Sequence, residues 1–179
     1  MTTVTGDFTL TMDELRAVAR YAAQSAQGLL PVFEHAHPDD PRPRAALDAA
    51  WTFVGGERRT KLQRSSSLDA HRAAKEAGTE AARLAARAAG DAASAAYLHP
   101  ISRATQVGHI LRAAACEARV GELEADGDPA VGDVLIERAR ERAGPVLRDV
   151  LRRYPRAPEG RTRVARLMSA LDASLRAVP

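Results

Sequence analysis

The stretch AHRAAKEAGTEAARLAARAAGDAASAA, residues 70–96, decides the fold. Glycine interrupts it only at Gly78 and Gly90, and alanine fills most of the rest. Alanine gives up no side-chain entropy in a helix, and its small side chain lets helices approach closely. Across the 179 residues alanine takes 38 positions, nearly all in segments that read as helix. The expectation is an all-α fold: one helical domain over residues 1–179, a bundle of about six to eight helices with Ala-rich packing and no sheet. Residues 1–9 are left open to being a flexible N-terminal segment.

Composition narrows the class. Hydrophobic residues make up 45% and charged residues 27%, both ordinary for a soluble protein. Aromatics are only 4%, so Leu, Val, Ile and Ala must build the core. The single cysteine, Cys116, excludes an internal disulfide and reads as a buried, inert thiol. No apolar run approaches the ~20 residues of a membrane span. The opening MTTVTGDFTLTMDEL lacks the basic and apolar regions of a signal peptide, so the cytoplasm is the default expectation.

The basic residues are 24 Arg against 2 Lys, a skew that suits a GC-rich genome better than any chemistry. Net charge is only +3, but its distribution is uneven. Glu117 to Glu137 holds seven acids and one Arg, whereas Arg138 to Arg166 holds ten Arg and three acids.

Capping and breaking residues give the helix borders. Thr11 with Glu14 forms a capping box, and Leu15, Val18, Ala19, Ala22 and Ala26 follow at helical spacing. Pro31 is expected to kink or end that helix, unless VFEH adds a turn. A second helix starts near Pro41 or Pro43, carries the stripe Leu47, Ala50, Trp51 and Val54 into the core, and ends at Gly55-Gly56. Arg58, Arg59, Lys61 and Arg64 read as a basic connector, with Ser67 as the cap of the third helix. Breaks are expected at Gly90-Asp91, with Asp91 as a new cap, and more weakly at Gly78. Pro100 opens a helix from Ile101 to about Glu124, Pro129 restarts the chain, Gly144-Pro145 splits the next segment, and Thr162 starts the last helix. No strand alternation or Asn-Gly hairpin turn is evident.

No catalytic or metal motif stands out. The five histidines include no pair spaced to place two ligands on one helix face, so neither a metal nor a cofactor is expected. Ser102, Gln106 and His109 fall at i, i+4 and i+7, with Tyr97 and His99 just before them. They read either as a packed polar seam or as a small pocket for a ligand or proton. Nothing supplies the nucleophile, orienter and oxyanion site of a catalyst, so a non-enzyme is expected. Asp39-Asp40-Pro41-Arg42-Pro43-Arg44 reads as a rigid elbow, with Arg44 pairing Asp48, or as Arg42 and Arg44 offered to an anionic partner. The arginines of the C-terminal third bring no nucleic-acid motif and no aromatic stacking run, so nucleic acid is disfavoured and solvated helix faces are expected.

Several stretches together carry a family resemblance: LPVFE (30–34), DDPRPRAALDAAW (39–51), DAHRAAKEAG (69–78), ARAAGDAASAAYLHP (86–100) and ATQVGHIL (104–111). The set resembles the Imm-5-like putative immunity proteins, an all-α family common in actinobacteria, from roughly Leu10 to Arg153. The resemblance implies a protector that binds a protein toxin. The rivals are a ligand-binding or regulatory helical protein that uses the seam around His109, and an enzyme of unrecognised type. Membrane association is not expected, and homo-oligomer formation stays open. If the toxin is a nuclease with a basic cleft, the matching surface is Glu122, Glu124, Asp126 and Asp128; if the partner is acidic, it is the Arg-rich C-terminal third. In the competing reading these two stretches pair with each other.

Overall fold

The computed structural model describes residues 3–177. Among them the chain forms eight α-helices: α1 (Met12–Ala36), α2 (Arg42–Val54), α3 (Lys61–Glu76), α4 (Glu80–Ser94), α5 (Val107–Glu124), α6 (Pro129–Arg142), α7 (Pro145–Arg152) and α8 (Arg163–Ala177). This is an all-α bundle, preceded by a two-stranded antiparallel hairpin of β1 (Thr3–Thr5) and β2 (Thr9–Thr11).

The hairpin corrects the expectation of no sheet. Each strand is three residues long, too short for period-2 alternation to register, yet Val4 faces Leu10 across it. Leu10 is fully buried, and Phe8 sits edge-on to Tyr154 with ring centroids 4.9 Å apart. The Asp7 N–H donates to the Pro100 carbonyl, and Asp7 Oδ2 accepts from the Ser102 N–H. Within the stretch left open as a flexible lead-in, residues 3–9 therefore touch the bundle; Met1 and Thr2 lie outside the described residues.

Local chemistry explains most helix borders. The capping box at Thr11 is present: Glu14 N–H donates to Thr11 Oγ1 at 3.1 Å and Thr11 N–H to Glu14 Oε2 at 2.8 Å. Pro31 does not end α1. It lies on the exposed side, and burial of Leu29, Leu30 and Phe33 around it holds the helix through the missing hydrogen bond. α3 starts six residues before Ser67, because Thr60 and Gln63 form a second capping box. Ser67 sits mid-helix instead and donates to the Gly90 carbonyl at 2.8 Å.

Gly90-Asp91 is no break either, because α4 runs through it to Ser94. Glycine is required there for contact. A Cβ on Gly90 would lie 2.9 Å from the His71 ring, so the missing side chain lets α3 and α4 close together. Pro100 does not open a helix. Residues 98–103 are held in tight turns by the hairpin and by Tyr154, whose hydroxyl donates to the His99 carbonyl at 2.9 Å. A 3₁₀ turn at Ala104–Gln106 then leads into α5.

α1, α4 and α5 pack on one another at the centre. α2 and α3 cover one side of α4, while α6 and α8 cover α5. Two cores result. One is alanine-rich, between α1, α2, α3 and α4. The other is built from larger residues such as Leu15, Ile110, Leu111, Leu151 and Leu171. Trp51 corrects another expectation. It is only partly buried and bridges the edges of both cores, whereas Phe53 two residues on is fully buried. Phe53→Ala should cost ~3–5 kcal/mol, and Trp51→Ala clearly less. Urea unfolding of the two variants checks the order.

Candidate functional site

The most constrained polar group on α4 is Asp91. It lies among Ala88, Ala89, Ala92 and Ala93, on a face that packs against other helices, and is fully buried. A carboxylate in that position needs dedicated partners. Arg112 on α5 supplies a two-point pair, with Nε at 2.7 Å from Oδ2 and Nη2 at 2.5 Å from Oδ1. His71 on α3 places Nε2 3.7 Å from Oδ1. One turn on from Asp91, the Ser94 hydroxyl lies 2.9 Å from His109 Nδ1 and 2.9 Å from the Asp91 carbonyl. Three helices thus meet at one polar knot.

The knot opens on a cavity of about 420 Å3 lined by His71, Ala74, Lys75, Arg83, Arg87 and Arg112. Burial pushes His71 below its ordinary value of 6.5; Asp91 pulls it upward, and Arg112, Arg87 and Lys75 oppose that pull. Burial lowers His109 too, again against Asp91 and with help from Arg112, His71 and His99. Cys116 is fully buried beneath, its thiol pushed up to about 12 by burial. Such a thiol is no nucleophile near neutral pH.

The five residues expected to form one polar seam do not gather into one. Ser102 and His99 are exposed and precede α5, since no helix forms at Pro100. Gln106 is buried, and its side-chain carbonyl accepts from the His99 N–H. Tyr97 turns to the α2–α3 connector, donates to the Thr60 carbonyl and is covered by Arg59 and Arg64. Only His109 joins the Asp91 knot.

In the elbow, Arg42 clamps Asp40 and reaches Glu76 at the end of α3. Arg44 pairs with Glu34 on α1, at 2.6 and 2.8 Å, rather than with Asp48. Both arginines tie α2 to its neighbours. In the acidic stretch, Glu122 is buried and held by Arg163 and Arg119. Burial alone would raise its pKa, but the two guanidiniums hold it below the usual range. Gly132 makes room for it, because a Cβ there would meet the carboxylate at 2.0 Å. Glu124, Asp126 and Asp128 remain exposed at the α5–α6 turn, where Asp128 caps α6.

His71, Asp91 and Arg112 were missed from sequence. Asp91 looked like a cap because it follows a glycine. The signal that would have found it is an acid on the alanine face of a helix, which demands a buried cation nearby. Among the described residues no His, Cys, Asp and Glu side chains gather as a metal set, and no helix is long and apolar enough to cross a membrane.

Two outcomes follow from this chemistry. Asp91→Asn strands Arg112 and should cost ~3–5 kcal/mol in urea unfolding. The histidines set a pH dependence. Their folded pKa values lie below 6.5, so the unfolded chain takes up protons that the folded one refuses. Stability should therefore fall as pH drops from about 7 to about 5, before most carboxylates titrate. His71→Asn combined with His109→Asn should flatten that slope when unfolding is measured across the same range.

No curated protein and no solved structure gives a significant match to the chain. The model of one family, described as Imm-5 like putative immunity protein, matches residues 9–143. That span runs from β2 through α6 and includes both cores' shared helices and the Asp91 knot. The chain therefore belongs to the Imm-5-like putative immunity protein family.

Proposed function

We propose that the protein neutralises a protein toxin by binding it, without catalysis of its own. The family match over residues 9–143 carries this reading. The geometry supports it through the state of the reactive groups. Cys116 is buried with a raised pKa, Asp91 is committed to Arg112, and His71 stays largely neutral without reaching hydrogen-bond distance of the carboxylate. No activated nucleophile results. Shared packing on α1, α5 and Trp51 supports treating both cores as a single domain.

For a nuclease toxin, the docking face in this reading is the α5–α6 turn. Asp126 at φ 54° and Gly127 at φ 87° fold the turn tightly, and Glu124, Asp126 and Asp128 are all exposed around it. Glu122 is excluded from that face, because it is spent on Arg119 and Arg163 inside. For an acidic toxin, the exposed arginines of the C-terminal third are the complementary surface.

The test is co-expression with the protein encoded beside this one. Growth rescue together with a complex that survives purification is the expected result, and absence of both overturns the reading. For a nuclease toxin, Glu124→Gln, Asp126→Asn and Asp128→Asn together should slow association about tenfold at low salt. Asparagine preserves the α6 cap, so stability should hold. Unchanged rescue and an unchanged association rate would remove the turn as the docking face.

A further inference from the structure

Many arginines in this protein are matched to carboxylates. Arg42, Arg44, Arg112, Arg119, Arg153, Arg163 and Arg176 each hold one or more. The cavity beside the Asp91 knot gathers cations that are not so matched. Lys75 on α3 and Arg83 and Arg87 on α4 line it, and among the described residues none of the three makes an ion pair or a hydrogen bond. Glu80 is one turn from Arg83, but it bonds to Arg119 instead. Arg83 and Arg87 stand four residues apart on one helix, an arrangement of like charges that works against the helix. Packing then adds Lys75 from α3 and Arg112 from α5. Four cationic side chains and no carboxylate thus line one volume, and Asp91 beside it is already bound to Arg112.

We propose that this cavity binds a small phosphate-bearing molecule, with Arg83, Arg87 and Lys75 on its phosphoryl oxygens and Arg112 beside them. The inference goes beyond the toxin-binding reading and stands without it. Three features favour a phosphate group over a single carboxylate. The excess positive charge is matched by an ion of two or more negative charges, as a phosphate ester or diphosphate carries near neutral pH. Arginine forks fit phosphate oxygens in pairs, and a lysine adds a point charge. The volume of about 420 Å3 falls within the range of small-molecule sites, and it exceeds a bare phosphate. Ala74 and the His71 ring offer an apolar wall for the organic part. Asp91 holds the Arg112 guanidinium in a fixed orientation before any ligand arrives, which lowers the ordering cost of binding.

Inorganic pyrophosphate is the probe, added to the full chain and followed by calorimetry and by the NMR resonances of the His71 ring. Saturable one-site binding is expected, with His71 shifting at the same midpoint. Arg83→Gln combined with Arg87→Gln should weaken binding roughly tenfold or more, as loss of charge-assisted hydrogen bonds does. Both positions are exposed, so the thermal melt should hold; Lys75→Gln is a second, milder variant that should weaken binding in the same direction. Arg58→Gln combined with Arg138→Gln, at two exposed positions elsewhere, should leave binding unchanged. The proposal is overturned by no saturable binding at millimolar pyrophosphate, by binding that survives loss of Arg83 and Arg87, or by equal loss in the Arg58 and Arg138 variant. It is also overturned if pyrophosphate fails to bind while the Arg83 and Arg87 variant loses affinity for a protein toxin. That result would make the cavity a protein contact and leave the toxin-binding reading intact.

Discussion

The structure depends on how closely other helices approach α4. Its buried surface is almost entirely Ala82, Ala85, Ala86, Ala88, Ala89, Ala92 and Ala93, with Gly90 at the point of tightest contact. Short side chains let α1, α2, α3 and α5 all reach the same helix. Crowding of this kind excludes water, so any polar group on α4 must be satisfied by a specific neighbour. Asp91 and the Gly90 carbonyl are two such groups. Arg112 and Ser67 answer them from α5 and α3. A buried ion pair adds little net stability compared with apolar packing, but it permits only one register between the helices that share it. In an alanine core, where smooth surfaces tolerate sliding, that restriction is useful.

The larger-residue core solves the same problem differently. Leucine, isoleucine and valine interlock and need less polar guidance, yet this half also hides a carboxylate. Glu122 receives Arg119 from its own helix and Arg163 from the start of α8. Asp172 on α8 accepts from the Ala157 N–H and from Arg176, which fixes the loop that precedes the helix. The acidic and basic stretches of the sequence thus meet in part inside the fold: Glu122 with Arg163, and Glu117 with Arg142. Their opposite charges assemble the α5–α6–α8 side before they serve any partner.

Much of the helical plan was legible because it rests on local chemistry. The capping box at Thr11, the stop at Gly55-Gly56 and the prolines at 129 and 145 act within a turn of themselves, so sequence spacing reveals them. What escaped depends on contacts far apart in the chain. Gly90 looks like a breaker until His71 is packed against it, nineteen residues away. Pro100 looks like a helix start until Asp7 and Tyr154 hold its neighbourhood in tight turns. Thr60 and Gln63 were readable in principle, but a run of serines just downstream offered a competing cap. The site suffered most. Periodicity put Ser102, Gln106 and His109 on one face by assuming a helix that tertiary contacts prevent, while the residues that converge come from three different helices.

The allocation of charge separates structural from functional surfaces in this molecule. An arginine bound to a buried or half-buried carboxylate has its geometry set by the fold, and its loss is felt first as instability. Arg42, which holds half-buried Asp40, and Arg44, which holds half-buried Glu34, meet that standard and belong to the scaffold. Glu122 belongs there as well. Charges that the fold gathers and leaves unmatched are different, because their mutual repulsion opposes folding and must be offset by packing elsewhere. Two such places stand out: the acidic turn at Glu124, Asp126 and Asp128, and the cationic cavity at Lys75, Arg83 and Arg87. They carry opposite signs, and one is an exposed turn while the other lines a cavity. An exposed acidic turn suits the basic cleft of another protein, and a basic cavity suits a small anion. In the two readings proposed here, shape and sign therefore give the turn and the cavity different partners, and a single toxin surface has no need to engage both.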